Sequence, residues 1–158
     1  MPSQIVKNCG SAIARRGMAL AFAESATAGR MAAEFALLPE SGKILKGGIV
    51  CYDACIKEEV LKIPKEFVEK YTPESAEVTE ELAHSIAKLI KSDIQVAVTG
   101  LTTPGGSENE EKPVGTMFIH VLINGRSFPV REKFDGSAEE IVLKTIDRAA
   151  EIILKELL

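Results

Sequence analysis

The chain has 158 residues, of which 46% are hydrophobic and 27% charged, and its 23 acidic and 19 basic side chains give a formal net charge of −4. That length predicts one domain spanning 1–158, since domains usually hold roughly 100–200 residues, and its core needs no metal or disulfide staple. A mean hydropathy of +0.08 with 12 Gly and 7 Pro excludes a disordered or collagenous chain, and the acidic balance argues against a nucleic-acid partner, whose phosphates call for a basic face.

No apolar run approaches the roughly 20 residues that cross a bilayer. The opening MPSQIVKNCGSAIARRG is periodic rather than a charged segment followed by a pure apolar run, so no signal peptide is expected. Cys9, Cys51 and Cys55 are odd in number and lack C-x-x-C spacing. The expectation is a cytoplasmic chain without a disulfide framework or membrane association.

In chain order, Ile5, Cys9, Ala12, Ile13 and Arg16 recur at helical steps and predict a helix from Ser3 to Arg16, ended by Gly17. Met18–Glu24 has strand length, and Ala28–Leu38 reads as a helix stopped before Pro39. Leu45–Tyr52 is a second strand, where Gly47 and Gly48 mark a bulge or a close backbone approach. Ala54–Leu61 is a short helix, Lys65–Lys70 a turn, and Thr79 opens a helix running to Lys91. Ile94–Gly100 is an unbroken apolar strand of the kind buried on both faces. After a polar loop from Leu101 to Pro113, Gly115–Ile123 and Arg126–Phe134 flank Asn124-Gly125, a strong hairpin signal. Ser137 then caps a long amphipathic helix. Strands alternating with helices and ending in a hairpin predict a three-layer α/β/α sandwich with a mixed, mostly parallel sheet.

In open α/β sheets ligands lie beyond the carboxyl ends of the strands, near helix N-termini. Three segments follow strands there with polar or small residues. Glu24-Ser25-Ala26-Thr27-Ala28-Gly29-Arg30 places hydroxyls at a helix start, where Ser25 or Thr27 taken alone reads as a helix cap. Tyr52 and Lys57 bracket a short helix start; a desolvated lysine beside a serine can act as a general base, although Lys57 taken alone reads as a solvated helix-face charge. Val98-Thr99-Gly100-Leu101-Thr102-Thr103-Pro104-Gly105-Gly106 lets a loop approach a ligand closely, but lacks P-loop order. His84 and His120 stand apart in sequence, and Cys51 and Cys55 have no matching ligand pair, so no metal is expected.

Taken together and in this order, the segments resemble the CinA C-terminal domain family (competence-damage-inducible proteins), whose stand-alone form is nicotinamide-nucleotide amidohydrolase (PncC). The resemblance runs along essentially the whole chain. The family's E-S-C-T-G-G stands here as Glu24-Ser25-Ala26-Thr27-Ala28-Gly29, and T-Y-S-N-x-x-K keeps Tyr52 and Lys57. V-T-G-I-A-G-P-G-G stands as Val98–Gly106, and E-K-P-V-G-T is intact as Glu111–Thr116. What this implies is hydrolysis of nicotinamide mononucleotide to nicotinate mononucleotide and ammonia, a step in pyridine nucleotide metabolism and NAD recycling. Ser25 would be the nucleophile, Lys57 its base and Tyr52 a proton-transfer aid, with no cofactor. Glu24, Thr27, Gly29, Thr99, Gly100, Gly105 and Gly106 would line the substrate site. The resemblance also implies a homo-oligomer whose partner is a small-molecule nucleotide.

The departures bear on the substrate. Where the family carries F-x-G-x-R, this chain has Phe134-Asp135-Gly136-Ser137-Ala138, and its following I-R is Ile141-Val142. A dianionic phosphate needs a cation, preferably a guanidinium fork. Arg30 and Lys112 are the expected replacements. The alternatives are an amide without phosphate, or a catalytically silent binding protein or scaffold.

Overall fold

The computed structural model describes residues 1–158. Its elements are α1 (Gln4–Arg15), β1 (Leu20–Glu24), α2 (Arg30–Ala36), α3 (Ser41–Ile44), β2 (Leu45–Val50), α4 (Ala54–Glu59), α5 (Lys65–Tyr71) and α6 (Ala76–Leu89), followed by β3 (Ile94–Gly100), β4 (Thr116–Ile123), β5 (Arg126–Lys133) and α7 (Ala138–Leu157). The strands form one sheet in the order β2-β1-β3-β4-β5. β1 pairs in parallel with both β2 and β3, while β4 runs antiparallel to β3 and β5 antiparallel to β4. The sheet is therefore mixed, with four strands pointing one way and only β4 reversed.

Strand side chains alternate between two apolar layers. Leu20, Phe22, Ile94, Val96, Val98, Met117, Ile119 and Val121 pack under α1, α2, α3 and α7. Ala21, Ala23, Ala97 and Leu122 face α5 and α6, with α4 contributing partly buried Ala54 and Ile56. Small alanines on this second face let α6 lie close to the sheet. Burying a Phe or Ile of these layers stabilises the fold by about 1.5–3 kcal/mol each.

Four local results differ from the sequence expectation. The helix expected from Thr79 begins a turn earlier, because Ser75 caps it by accepting from the Val78 amide, while the Thr79 hydroxyl donates to the Ser75 carbonyl at 2.5 Å. Lys65–Tyr71 is a helical segment rather than a turn, and α3 was not expected. Helix α2 is shorter than Ala28–Leu38 because Ala28 (φ 48°) and Gly29 (φ 90°) are both left-handed, which no helix admits.

Both readings of Gly47-Gly48 hold. The β1–β2 register shifts between Leu20 and Ala21, where Gly47 adopts φ 142°, and a Cβ on Gly48 would stand 2.6 Å from the Phe22 carbonyl oxygen. The hairpin turn has φ 48° at Asn124 and 82° at Gly125, as the two-residue turn requires. At α7, Ser137 and Glu140 form a reciprocal capping box.

Candidate active site

The carboxyl ends of β2, β1 and β3 lie side by side, and the segments leaving them meet over one cleft of about 290 Å³. Ser25 and Ala26 line it from the β1 turn, Tyr52 from the end of β2, and Gly100 to Gly106 from the loop after β3. Ser25 is held by its amide donating to the Val98 carbonyl, which ties the turn to β3. The turn itself is closed by Glu24. Its buried carboxylate accepts from the Thr27 hydroxyl (2.7 Å) and from the Met31 and Ala32 amides (2.8 and 2.9 Å). Glu24, rather than Ser25 or Thr27, therefore satisfies the free amides at the start of α2. The Ser25 hydroxyl is left to another partner.

That partner is Lys57. Its Nζ lies 2.9 Å from Ser25 Oγ, 2.6 Å from the Cys51 carbonyl oxygen and 3.2 Å from that of Tyr52. The side chain is only 1% exposed. It projects from α4, whose start is fixed by Asp53 accepting from the Cys55 amide. No carboxylate forms an ion pair with it, and burial pulls its pKa below the ordinary 10.5, opposed by weaker attractions from Cys51, Glu74 and Asp53. A neutral amine with this geometry gives its two N–H bonds to the two carbonyls and turns its lone pair to the Ser25 hydroxyl. The same burial raises the Cys51 thiol to about 11. The Ala26 and Thr27 amides donate to no protein acceptor, so two polarised N–H groups follow directly after Ser25.

Of the residues expected at the site, Ser25, Lys57 and Tyr52 converge, and Gly100, Gly105 and Gly106 line the cleft. Gly100 has no room for a Cβ, which would meet Met117 and the Thr116 carbonyl. Tyr52 is 60% exposed and reaches Lys57 through its backbone carbonyl. Gly29 serves the backbone reversal at the head of α2. Five expected substrate contacts are occupied otherwise. Glu24 and Thr27 hold the turn together, as above. Thr99 is fully buried and, with the Thr79 donor already committed to Ser75, donates to Thr79 Oγ1 at 2.8 Å, bracing β3 against α6. Arg30 points away toward Glu34 (2.8 Å) and Glu139 (3.5 Å). Lys112 donates to Thr72 Oγ1 and the Glu74 carbonyl, at 2.8 and 2.7 Å. Neither cation lines the cleft.

Glu74 is the lining residue that sequence reasoning missed. Nothing beside it in the chain marks it; only the return of the loop after β3 brings it to the cleft. His84 and His120, distant in sequence, meet with ring centroids 6.1 Å apart between α6 and β4, and Glu80 Oε1 lies 3.9 Å from His84 Nε2, but the three do not form a group that could hold a metal ion.

The fold and site thus define an α/β/α sandwich with a buried lysine–serine contact at the carboxyl edge of its parallel strands. A family model for the CinA C-terminal domain matches residues 2–157, and the chain belongs to that family. It is 35% identical over 156 residues to a CinA-like protein of Desulfotalea psychrophila, covering 99% of this chain and 37% of that protein. A CinA-like protein of Petrotoga mobilis is 37% identical over 123 residues, covering 77% and 30%. The chain thus spans about a third of the length of these curated relatives. Among solved structures, the competence damage-inducible protein A of Klebsiella pneumoniae superposes with a TM-score of 0.92 at 27% identity, covering 98% of this chain and 95% of that one. The competence/damage-inducible protein CihA of Agrobacterium tumefaciens superposes at 0.89 with 25% identity, covering 98% and 97%.

Proposed function

We propose that this chain is an amidohydrolase that converts nicotinamide mononucleotide and water to nicotinate mononucleotide and ammonia, with Ser25 as nucleophile and Lys57 as its base. The observation carrying the proposal is the buried, carboxylate-free Lys57 amine 2.9 Å from the Ser25 hydroxyl. Ser25 Oγ attacks the amide carbon as its proton passes to Lys57 Nζ. The oxyanion so formed is stabilised by the unclaimed Ala26 and Thr27 amides. Collapse of the tetrahedral species breaks the C–N bond, Lys57 returns the proton, and ammonia leaves. Water then attacks the acyl-serine, giving one proton to Lys57, which returns it to Ser25 Oγ as the acyl C–O bond breaks; the carboxylic acid departs and loses its remaining proton to solvent. The Cys51 and Tyr52 carbonyls orient the amine throughout and stabilise its ammonium form. The cytoplasmic location, homo-oligomeric state and single-domain organisation expected from the sequence belong to the same proposal.

The test is ammonia release from nicotinamide mononucleotide by the purified chain beside Ser25→Ala. Release should vanish in the variant while its far-UV circular dichroism is unchanged; full activity in the variant would overturn the mechanism. One observation favours a second reading, an amide without phosphate: both candidate phosphate cations, Arg30 and Lys112, are engaged outside the cleft lining. Inorganic phosphate that inhibits turnover would count against it.

A further inference from the structure

The cleft beside Ser25 carries one carboxylate and no lysine or arginine among its lining residues. That carboxylate is Glu74, and it is held in place. The Ser107 hydroxyl donates to its Oε2 at 2.5 Å, whereas Oε1 has no donor and lies toward Gly106 on the cleft wall. The backbone leading to it is fixed as well. Thr72 adopts φ 69° and ψ 151°, a costly conformation for a β-branched residue. Its hydroxyl donates to the Glu74 carbonyl, its carbonyl accepts from Ser75, and Lys112 clamps both Thr72 Oγ1 and the Glu74 carbonyl. Lys112 thus braces the main chain and forms no ion pair with the carboxylate. A strained, cross-braced segment presenting one free carboxylate oxygen to the cleft is suited to recognising charge.

We infer that Glu74 is a specificity-determining residue that reads positive charge on the ring of the amide, so that the cleft selects an N-alkylated pyridinium carboxamide over its neutral counterpart. The inference rests on the amidohydrolase reading for the chemistry of the substrate, and it deepens that reading, because the ring of a nicotinamide nucleotide is such a cation. Binding of the cation can be measured without turnover, so the two ideas fail separately.

The experiment uses the full chain carrying Ser25→Ala, with and without Glu74→Gln, titrated calorimetrically with 1-methylnicotinamide, a cation, and nicotinamide, its neutral counterpart. A unit charge pair about 6 Å apart at an effective dielectric near 40 corresponds to about tenfold in affinity. The expected result is that the cation binds about tenfold more tightly than the neutral amide and that Glu74→Gln removes the gap. A gap that survives Glu74→Gln overturns the assignment, as does equal binding of the two amides or binding of neither. Ammonia release by the Ser25-containing chain is scored separately; a charge gap without release would leave the role of Glu74 standing and remove the hydrolytic reading. Unchanged thermal unfolding of Glu74→Gln separates a lost charge contact from a lost fold.

Discussion

Replacing Lys57 with methionine exchanges a buried amine for an uncharged side chain of similar length, and the consequence is best followed against pH. Burial lowers the Lys57 pKa in the folded protein below the 10.5 of an exposed lysine. Between those two values the unfolded chain binds more protons than the native one, so stability rises with pH across that window. One proton contributes at most about 1.4 kcal/mol per pH unit. Below the native pKa the cost of keeping the ammonium buried is fully present; above 10.5 it is gone. Methionine binds no proton, so the difference in unfolding free energy between the two proteins isolates this term. The variant also orphans the Cys51 and Tyr52 carbonyls, at about 1–3 kcal/mol each. The stability advantage of lysine over methionine is therefore largest near pH 10.5 and narrows toward neutrality. Urea unfolding followed by circular dichroism at stepped pH gives the difference curve directly. Ammonia release should be lost in the variant, a general base contributing typically about 10²–10⁴-fold, and in the parent kcat/KM should climb with pH and level at the pH where the stability difference begins to rise. A difference that stays flat up to 10.5, or falls with pH, would refute the account of Lys57 as a desolvated amine.

Two further outcomes test the scaffold around the pair. Ala28 bears a side chain in the left-handed region, so Ala28→Gly should raise stability by about 0.5–1 kcal/mol, the relief of the left-handed penalty outweighing the added freedom of the unfolded chain. In a chain of this size that raises Tm by about 1–4 °C, read by calorimetry; a lower Tm would show that the turn does not hold this conformation. Thr99→Val removes the hydroxyl link between β3 and α6 and should cost about 1 kcal/mol, leaving KM for the amide unchanged in steady-state assays. A large rise in KM would return Thr99 to the substrate site.

The strands were legible because their apolar runs are short and punctuated. Ile94–Gly100 is observed with the expected bounds, and Asn124-Gly125 set the hairpin. Helix starts were less legible where two hydroxyl residues compete. Ser75 and Thr79 are both plausible caps in sequence, and the outcome depends on Thr79 turning back to the Ser75 carbonyl and across to Thr99. At the site, Ser25, Lys57 and Tyr52 were identifiable because their spacing repeats a family pattern. Polar residues beside them could not be sorted in the same way. Whether Glu24 meets a ligand or three donors of its own turn, and whether Arg30 faces the cleft or Glu139, is decided by contacts between residues up to 109 positions apart. Glu74 enters the cleft only through tertiary folding, and no local signal announces it.

The position of β1 at the centre of the parallel strands has a consequence for how the chain is made. Synthesis delivers β1 and then β2, yet the second neighbour of β1 does not exist until Ile94–Gly100 has emerged. Until then one apolar edge of the strand leading into Ser25 has no partner, and such unpaired edges invite association with other nascent chains. The hairpin of β4 and β5 needs no such wait, because its two strands are neighbours in sequence. Lys57, wet and fully basic on the nascent chain, acquires its altered acidity only once its own segment docks against the completed turn. Appearance of a depressed lysine pKa would therefore time-stamp the docking of α4 onto that turn.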